Sequence, residues 1–260
     1  MDRILLIGAI LSLVCSLGYT LFALGAGNFR PGRFNVVAIL VAFALMSAFL
    51  YLRGKLEGSC PLNSLFDVLI FQSWSFLLIY LVVGTAYRLS LLGAFTAPLA
   101  FLMMVVALVG PLDQTPRARA TNAWIETHAA LSIVAYGALG LAAVAGIMYL
   151  LQERLLKAHK VSSLLYNLPP ITDLAAAIVR LLWLGIVLLT ISFAAGMLSQ
   201  MAVNQMKYTA SLAIWGLYAF ILVLHKFGFA PPRRLALFTV GGFVLVLLSL
   251  PGIQYLSSRP

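Results

Sequence analysis

The chain has 260 residues, 63% of them hydrophobic and only 9% charged, with a formal net charge of +10. A water-soluble domain carries about 25% charged residues, so this composition excludes an ordinary soluble enzyme. The basic residues are spread singly over short loops, which is the pattern of membrane-surface anchoring and argues against a nucleic-acid partner.

Eight apolar runs follow one another, at 4–24, 34–52, 65–83, 91–109, 125–151, 174–199, 209–227 and 235–255. Each is long enough to cross a bilayer as a helix. The expected fold is all-α: a polytopic membrane bundle of about eight transmembrane helices with no sizeable soluble domain. The first run has no small-residue cleavage site around Ser12-Leu13-Val14-Cys15, so it is expected to be a retained span and not a signal peptide. Cys15 lies inside that run and Cys60 in a loop, and two lone cysteines form neither a disulfide framework nor a CxxCH haem-attachment site. Turn chemistry separates the runs at Gly25 to Asn28, Pro31-Gly32, Gly58 to Pro61, Pro111, Pro169-Pro170 and Pro231-Pro232.

The third run is entered through Cys60-Pro61-Leu62-Asn63-Ser64-Leu65-Phe66-Asp67 and contains Trp74. Asn63 is expected in a capping or turn role. Asp67 either caps the helix or is buried against a cation such as Lys55 or Lys207, and the cap is the favoured alternative. The fifth run opens with Trp124-Ile125-Glu126-Thr127-His128 and then carries no charge until Glu153. A histidine at that depth needs a partner. It is either a metal ligand or an interfacial ring bonded to Glu126 or to a neighbouring helix. The fifth helix is expected to continue past 151 into a charged stretch in which His159 is solvated, and Thr172 or Asp173 should cap the sixth.

In the seventh run, Trp215, Tyr218 and Phe220 precede His225, which is followed by Lys226 and then by Arg233 and Arg234. His225 is either a ligand with basic neighbours or the polar end of an aromatic belt. From Thr209 to His225 the helix rises about 24 Å. His128 and His225 are therefore expected at opposite rims, where one iron cannot join them. The Lys/Arg distribution favours both termini outside a bacterial-type inner membrane.

The residues resemble a family: haem-handling cytochrome c assembly proteins of the CcsA/HemX type, including eight-span YpjD-like members. The Pro61–Asp67 passage with Trp74 is similar to the family's P-L-S-N-L-[FY]-E…W helix entry. Leu92-Gly93-Ala94-Phe95 and Pro98-Leu99-Ala100 resemble the next span. Thr127-His128-Ala129-Ala130-Leu131-Ser132 with Tyr136 resembles a helix whose histidine is an external haem ligand. Lys207, Ser211, Trp215, Tyr218-Ala219 and His225 resemble a helix that ends in an intramembrane haem-ligand histidine.

The resemblance implies two N-terminal spans in 1–56, a six-span core in 57–260, and haem b held by His128 and His225. Trp124 and Trp215 would lie beside it, with Arg117 and Arg119 at one end and Lys226, Arg233 and Arg234 at the other near its propionates. Two departures stand out. The tryptophan-rich WWD loop of haem-delivering members is absent from 196–207, and the sequence reaches Pro260 where their second external histidine segment begins. This is the HemX/YpjD-like pattern, and it implies a partner of the ResB/CcsB type supplying missing ligands. The alternative is a membrane scaffold without haem that regulates haem biosynthesis. In that case Gly137, Gly140 and Gly146 would form a partner-binding face. A small-solute permease would need a paired intramembrane charge or broken helices in repeated halves, and neither is evident. No HExxH, P-loop, GxGxxG or nucleophile–base pair occurs, so the chain is not expected to be an enzyme, and is at most a non-catalytic subunit of a haem lyase system.

Overall fold

The computed structural model describes residues 2–25, 33–62, 64–84, 90–110, 122–158, 169–198 and 205–257. Within them the chain forms eight helices: α1 (Asp2–Gly25), α2 (Arg33–Glu57), α3 (Leu65–Ile79), α4 (Ser90–Val109), α5 (Ala123–Lys157), α6 (Ile171–Leu198), α7 (Gln205–Lys226) and α8 (Pro232–Ser257). Among the described residues, seven helices, α1 to α7, are long and apolar enough to cross a membrane. The protein is a multi-pass helical membrane protein. The eight helices coincide with the eight apolar runs because in hydrocarbon only a helix satisfies its own backbone.

Two details differ from the sequence expectation. Helix α6 starts at Ile171, directly after Pro169-Pro170, so Thr172 and Asp173 lie inside its first turn and do not precede it as caps. There the Asp173 carboxylate suits the positive end of the helix dipole. Helix α3 ends in a π-helical turn, Tyr80–Gly84, which the hydrophobic pattern did not announce. As expected, α5 runs on past 151, to Lys157, where Lys157 pairs with Glu153 one turn earlier at 2.7 Å.

The chain divides into two compact units, one of Met1–Arg117 with Leu151–Ile171, the other of Ala118–Leu150 with Thr172–Pro260. In the first unit α1 to α4 form an antiparallel ring in which α1 also packs on α4. The α1–α2 hairpin is tied by polar pairs: Ser12 Oγ donates to the Ala38 carbonyl at 2.8 Å, and Asn35 Nδ2 donates to Thr20 Oγ1 at 2.9 Å. Between α2 and α3, Trp74 Nε1 donates to Ser47 Oγ at 2.8 Å while its ring stacks on Phe43 at 5.4 Å, so Trp74 is a packing residue.

Helix α3 is started by a capping box. Ser64 Oγ accepts from the Asp67 amide at 3.1 Å, and Asp67 Oδ2 accepts from the Ser64 amide at 3.2 Å. Asp67 is also 1% exposed and ion-paired with Arg53 Nε at 2.8 Å. Both expectations for Asp67 therefore hold together, but the cation is Arg53, not Lys55 or Lys207. Arg53 further pairs with Glu57 at 3.0 Å and covers the Phe66 ring at 5.2 Å. Pro61 is buried in the same corner. Asn63 lies outside the described residues, and the cap is Ser64.

The second unit is a bundle of α5 to α8 in alternating directions. Leu139 of α5 lies so close to Gly185 of α6 that a β-carbon there would stand 2.6 Å from Leu139 Cδ2. Gly146 of α5 likewise lies against the α8 backbone, where a β-carbon would be 3.2 Å from the Ala236 carbonyl. Gly137, Gly140 and Gly146 are all buried, so this small-residue face is used for packing within the chain and does not offer the partner surface expected of it.

The buried Tyr80 ring of the π-turn lies between Gly84 and Gly93, and a β-carbon at Gly93 would stand 2.5 Å from its Cζ and Oη atoms. Overpacking of this kind costs about 1–3 kcal/mol. Gly93→Ala should lower the thermal midpoint of the detergent-purified protein, and Tyr80→Leu in the same chain should restore part of the loss. Asp67→Ala leaves the Arg53 guanidinium without a buried ion-pair partner in a largely buried corner and should cost about 3 kcal/mol. Asp67→Glu should cost less in the same melting experiment.

Candidate functional site

The second unit holds both candidate haem-ligand histidines. His128 sits on the second turn of α5, which Asn122 starts by accepting the Trp124 amide on its Oδ1 at 2.9 Å. The residue is 8% exposed, and its Nδ1 turns to α6. Its Nδ1 lies 2.8 Å from the Ser192 carbonyl oxygen and 2.9 Å from Ser192 Oγ. A carbonyl oxygen only accepts, so Nδ1 carries the proton, and in the neutral ring Nε2 holds the lone pair. Ser192 Oγ in turn donates to the His128 carbonyl at 2.8 Å. Its single proton is thereby used, and in the 2.7 Å bond between Ser132 Oγ and Ser192 Oγ the donor is Ser132. Gly196, one turn along α6, makes room for the imidazole, since a β-carbon there would lie 3.1 Å from Nδ1.

His225 ends α7 at the other end of the same unit. The helix closes through Gly228 at φ +79°, the left-handed conformation that glycine adopts without strain. Pro231-Pro232 then begins α8, with Pro232 at its first position, where a missing N–H costs nothing. This corner brings the Ala230 carbonyl to 2.8 Å from His225 Nδ1, so this ring too donates from Nδ1. Lys226, Arg233 and Arg234 are exposed around the corner, and Arg234 Nη1 donates to the Phe229 carbonyl at 3.4 Å.

Between the two ends lie the hydroxyls of Tyr136, Ser211 and Tyr218. Tyr136 Oη and Ser211 Oγ are 3.1 Å apart, which sets α5 and α7 at a common level. His128 stands eight residues before Tyr136, and His225 fourteen residues after Ser211. At 1.5 Å per residue the two imidazoles are roughly 30 Å apart along the bundle. One iron cannot take both.

The other expected site residues are dispersed. Trp124 is 48% exposed at the start of α5. Trp215 is half-buried, and its Nε1 donates to Thr190 Oγ1 of α6 at 3.1 Å. Arg117, Arg119 and His159 lie outside the described residues. Pro61, Asp67 and Trp74 belong to the first unit and the two histidines to the second. Sequence reasoning did not single out Ser192, Gly196 and Arg53. The one available signal for the first two was their spacing: Ser192 and Gly196 repeat the four-residue step of His128 and Ser132, so each pair lines one helix face.

A family model described as Cytochrome C assembly protein matches residues 62–259. The chain belongs to that family. Among individual relatives, it is similar to Protein HemX of Brevibacillus brevis, 29% identical over 175 residues, or 66% of this chain and 64% of that protein. It is 21% identical to Protein HemX of Bacillus subtilis (strain 168) over 231 residues, 85% of this chain and 84% of that protein. It is 31% identical to Cytochrome c biogenesis protein CcsA of Aethionema grandiflorum over 107 residues, 39% of this chain. The matched segment spans about two thirds of the Brevibacillus protein and one third of the CcsA protein. Family membership assigns the chain a role in cytochrome c biogenesis or haem handling. The matched region holds α3 to α8, with both histidines and the Asp67 capping box inside it.

Tyr218 is 0% exposed, and its hydroxyl has no hydrogen-bond partner among the described residues. A buried hydroxyl without a partner costs about 1–3 kcal/mol. Tyr218→Phe should therefore leave the melting temperature unchanged or raise it. Tyr136→Phe, which breaks the bond to Ser211, should lower it by the equivalent of about 1 kcal/mol.

Proposed function

We propose that this protein holds haem b in the membrane at one or both ends of its second unit, in support of cytochrome c assembly or haem homeostasis. The observation that carries the proposal is the shared state of the two buried-side histidines. Each gives its Nδ1 proton to a backbone carbonyl, Ser192 for His128 and Ala230 for His225. An imidazole held in this way offers Nε2 to a metal, and donation of the other ring N–H to a carbonyl is the usual support of a metal-bound histidine. The donor set fits haem iron, which takes neutral imidazole as an axial ligand.

His128 and His225 would be the ligands, at separate levels. Lys226, Arg233 and Arg234 supply positive charge for propionates at the His225 end, and Arg117 and Arg119 are the corresponding candidates at the His128 end. Trp124 offers ring surface near the His128 level, whereas Trp215, ten residues before His225 on α7, stands about 15 Å from it along the helix. When bound, haem supplies the iron porphyrin that cytochrome c assembly consumes. The chain's own residues bind it, orient the ring nitrogens and keep it in an apolar setting. The protein acts as a non-catalytic component in a bacterial-type inner membrane with both termini outside, and a ResB/CcsB-like partner completes the axial ligation.

The test is an absorption spectrum of the full-length protein purified from membranes with haem supplied. A Soret band is expected, weakened by His128→Ala and by His225→Ala and lost in the double variant. Folded protein with no haem, or a band indifferent to both substitutions, overturns the proposal.

A second reading is favoured by the breadth of the match to the two proteins named HemX, 66% and 85% of this chain against 39% for CcsA. In that reading the fold is a scaffold regulating haem biosynthesis, and replacing both histidines leaves its cellular role intact.

A further inference from the structure

We infer that Ser192, assisted by Ser132, is the positioning residue of His128: it fixes the tautomer and the attitude of the imidazole so that Nε2 is the ligating nitrogen. The haem aspect of this inference rests on the function proposed above, whereas the tautomer itself does not.

The geometry is a reciprocal clamp between two residues 64 positions apart. His128 gives Nδ1–H to the Ser192 carbonyl at 2.8 Å, and Ser192 gives its hydroxyl proton back to the His128 carbonyl at 2.8 Å. Neither bond can form without bringing the other within reach. The ring has a second contact on the same atom, Ser192 Oγ at 2.9 Å, so rotation of the imidazole by half a turn would exchange two bonds for C–H contacts. Ser132 holds the Ser192 hydroxyl from the α5 side at 2.7 Å, which directs that hydroxyl's own proton towards the His128 carbonyl.

Burial makes the choice binding. His128, Ser132 and Ser192 are 8%, 6% and 0% exposed, so water does not compete for these groups. An unmade bond there costs its full desolvation. Gly196 completes the seat, because any larger residue would press on Nδ1 from 3.1 Å. In water, histidine favours the other tautomer, with the proton on Nε2. The clamp reverses that preference.

The experiment uses the full chain in lipid nanodiscs, uniformly labelled with 15N-histidine. The three histidines are assigned by replacing each with glutamine. His128 is expected to show a protonated Nδ1 and an unprotonated Nε2 in the absence of haem. Ser192→Ala keeps the backbone carbonyl and removes the hydroxyl that holds the two helices in register beside the ring, so it should admit a minor fraction of the Nε2-protonated tautomer; Ser192→Thr should exclude that fraction, and Ser132→Ala should admit a smaller one. Gly196→Ala, which leaves every donor and acceptor in place, should shift the Nδ1 resonance by displacing the ring. With haem supplied, Ser192→Ala should weaken the His128-dependent part of binding about 10–100-fold.

A wild-type His128 protonated on Nε2, or a tautomer unmoved by Ser192→Ala, overturns the inference. If Ser192→Ala fails to fold, the Ser132→Ala and Gly196→Ala spectra decide it in the same way. A protein that shows the expected tautomer and the Nε2-protonated fraction in Ser192→Ala, yet takes up no haem, sinks the proposed function and leaves the positioning role standing.

Discussion

Inside hydrocarbon there is no water to receive a hydrogen bond, and every polar group in this chain must find its partner within the protein. That constraint accounts for the helices, and it accounts equally for the side chains that interrupt them. Thr20, Ser47, Ser73, Thr96, Thr190 and Thr239 each return their hydroxyl proton to a carbonyl one turn back on their own helix, at 2.7–2.8 Å. The local bond uses the proton and leaves the oxygen able to accept, and Thr20, Ser47 and Thr190 accept from Asn35, Trp74 and Trp215 of neighbouring helices. Ser132 and Ser192 reach across two helices instead, and His128 is what they reach.

The same constraint separates the two units in character. In the first, charge is concentrated at one corner, where Arg53, Glu57 and Asp67 neutralise one another around the start of α3. The capping box and the ion pair share Asp67, one oxygen serving each purpose. The Ser64–Asp67 capping box and the Arg53 pair thus join α2 to α3 within the first unit. In the second unit the buried groups are neutral hydroxyls and imidazoles, chemistry suited to holding a metal-bearing ring. Positive charge stands at its rim, where Lys226, Arg233 and Arg234 are exposed.

Much of this was legible in the sequence, and the physical reason is range. Helix positions follow from local hydropathy, so all eight were readable, and α5 could be followed past its apolar stretch because Gln152 to Lys157 continues a helical composition. The capping role of Asp67 was readable because the motif spans four residues. Its cation was not. Arg53 lies fourteen positions earlier, in the last turns of α2, and the sequence pointed to Lys55 or Lys207 instead, because pairing across the turn that contains Gly58, at φ +65°, depends on how α2 and α3 meet. The π-turn at Tyr80 was hidden for a similar reason. It depends on Gly84 and Gly93 closing on one ring from two helices, and no single window of sequence holds that information.

The two histidines show how far range governs function as well as prediction. They end in the same chemical state by opposite routes. His225 takes its carbonyl from Ala230, five residues on, within a corner that Gly228 and the double proline shape locally. Its tautomer is therefore a property of the turn and persists wherever that turn is formed. His128 takes its carbonyl from another helix, and its tautomer is a property of how α5 and α6 pack. That packing is set by glycines at Gly185 and Gly196, where the two helices approach too closely for any β-carbon to be accommodated without a shift. Sliding α6 by one turn would move Ser192 about 5 Å from the ring, beyond any hydrogen bond. The His128 end can then be altered by a change in helix packing that leaves the His225 end untouched. For the haem-holding function proposed above, such an asymmetry leaves one imidazole fixed by its own turn and the other conditional on the bundle around it.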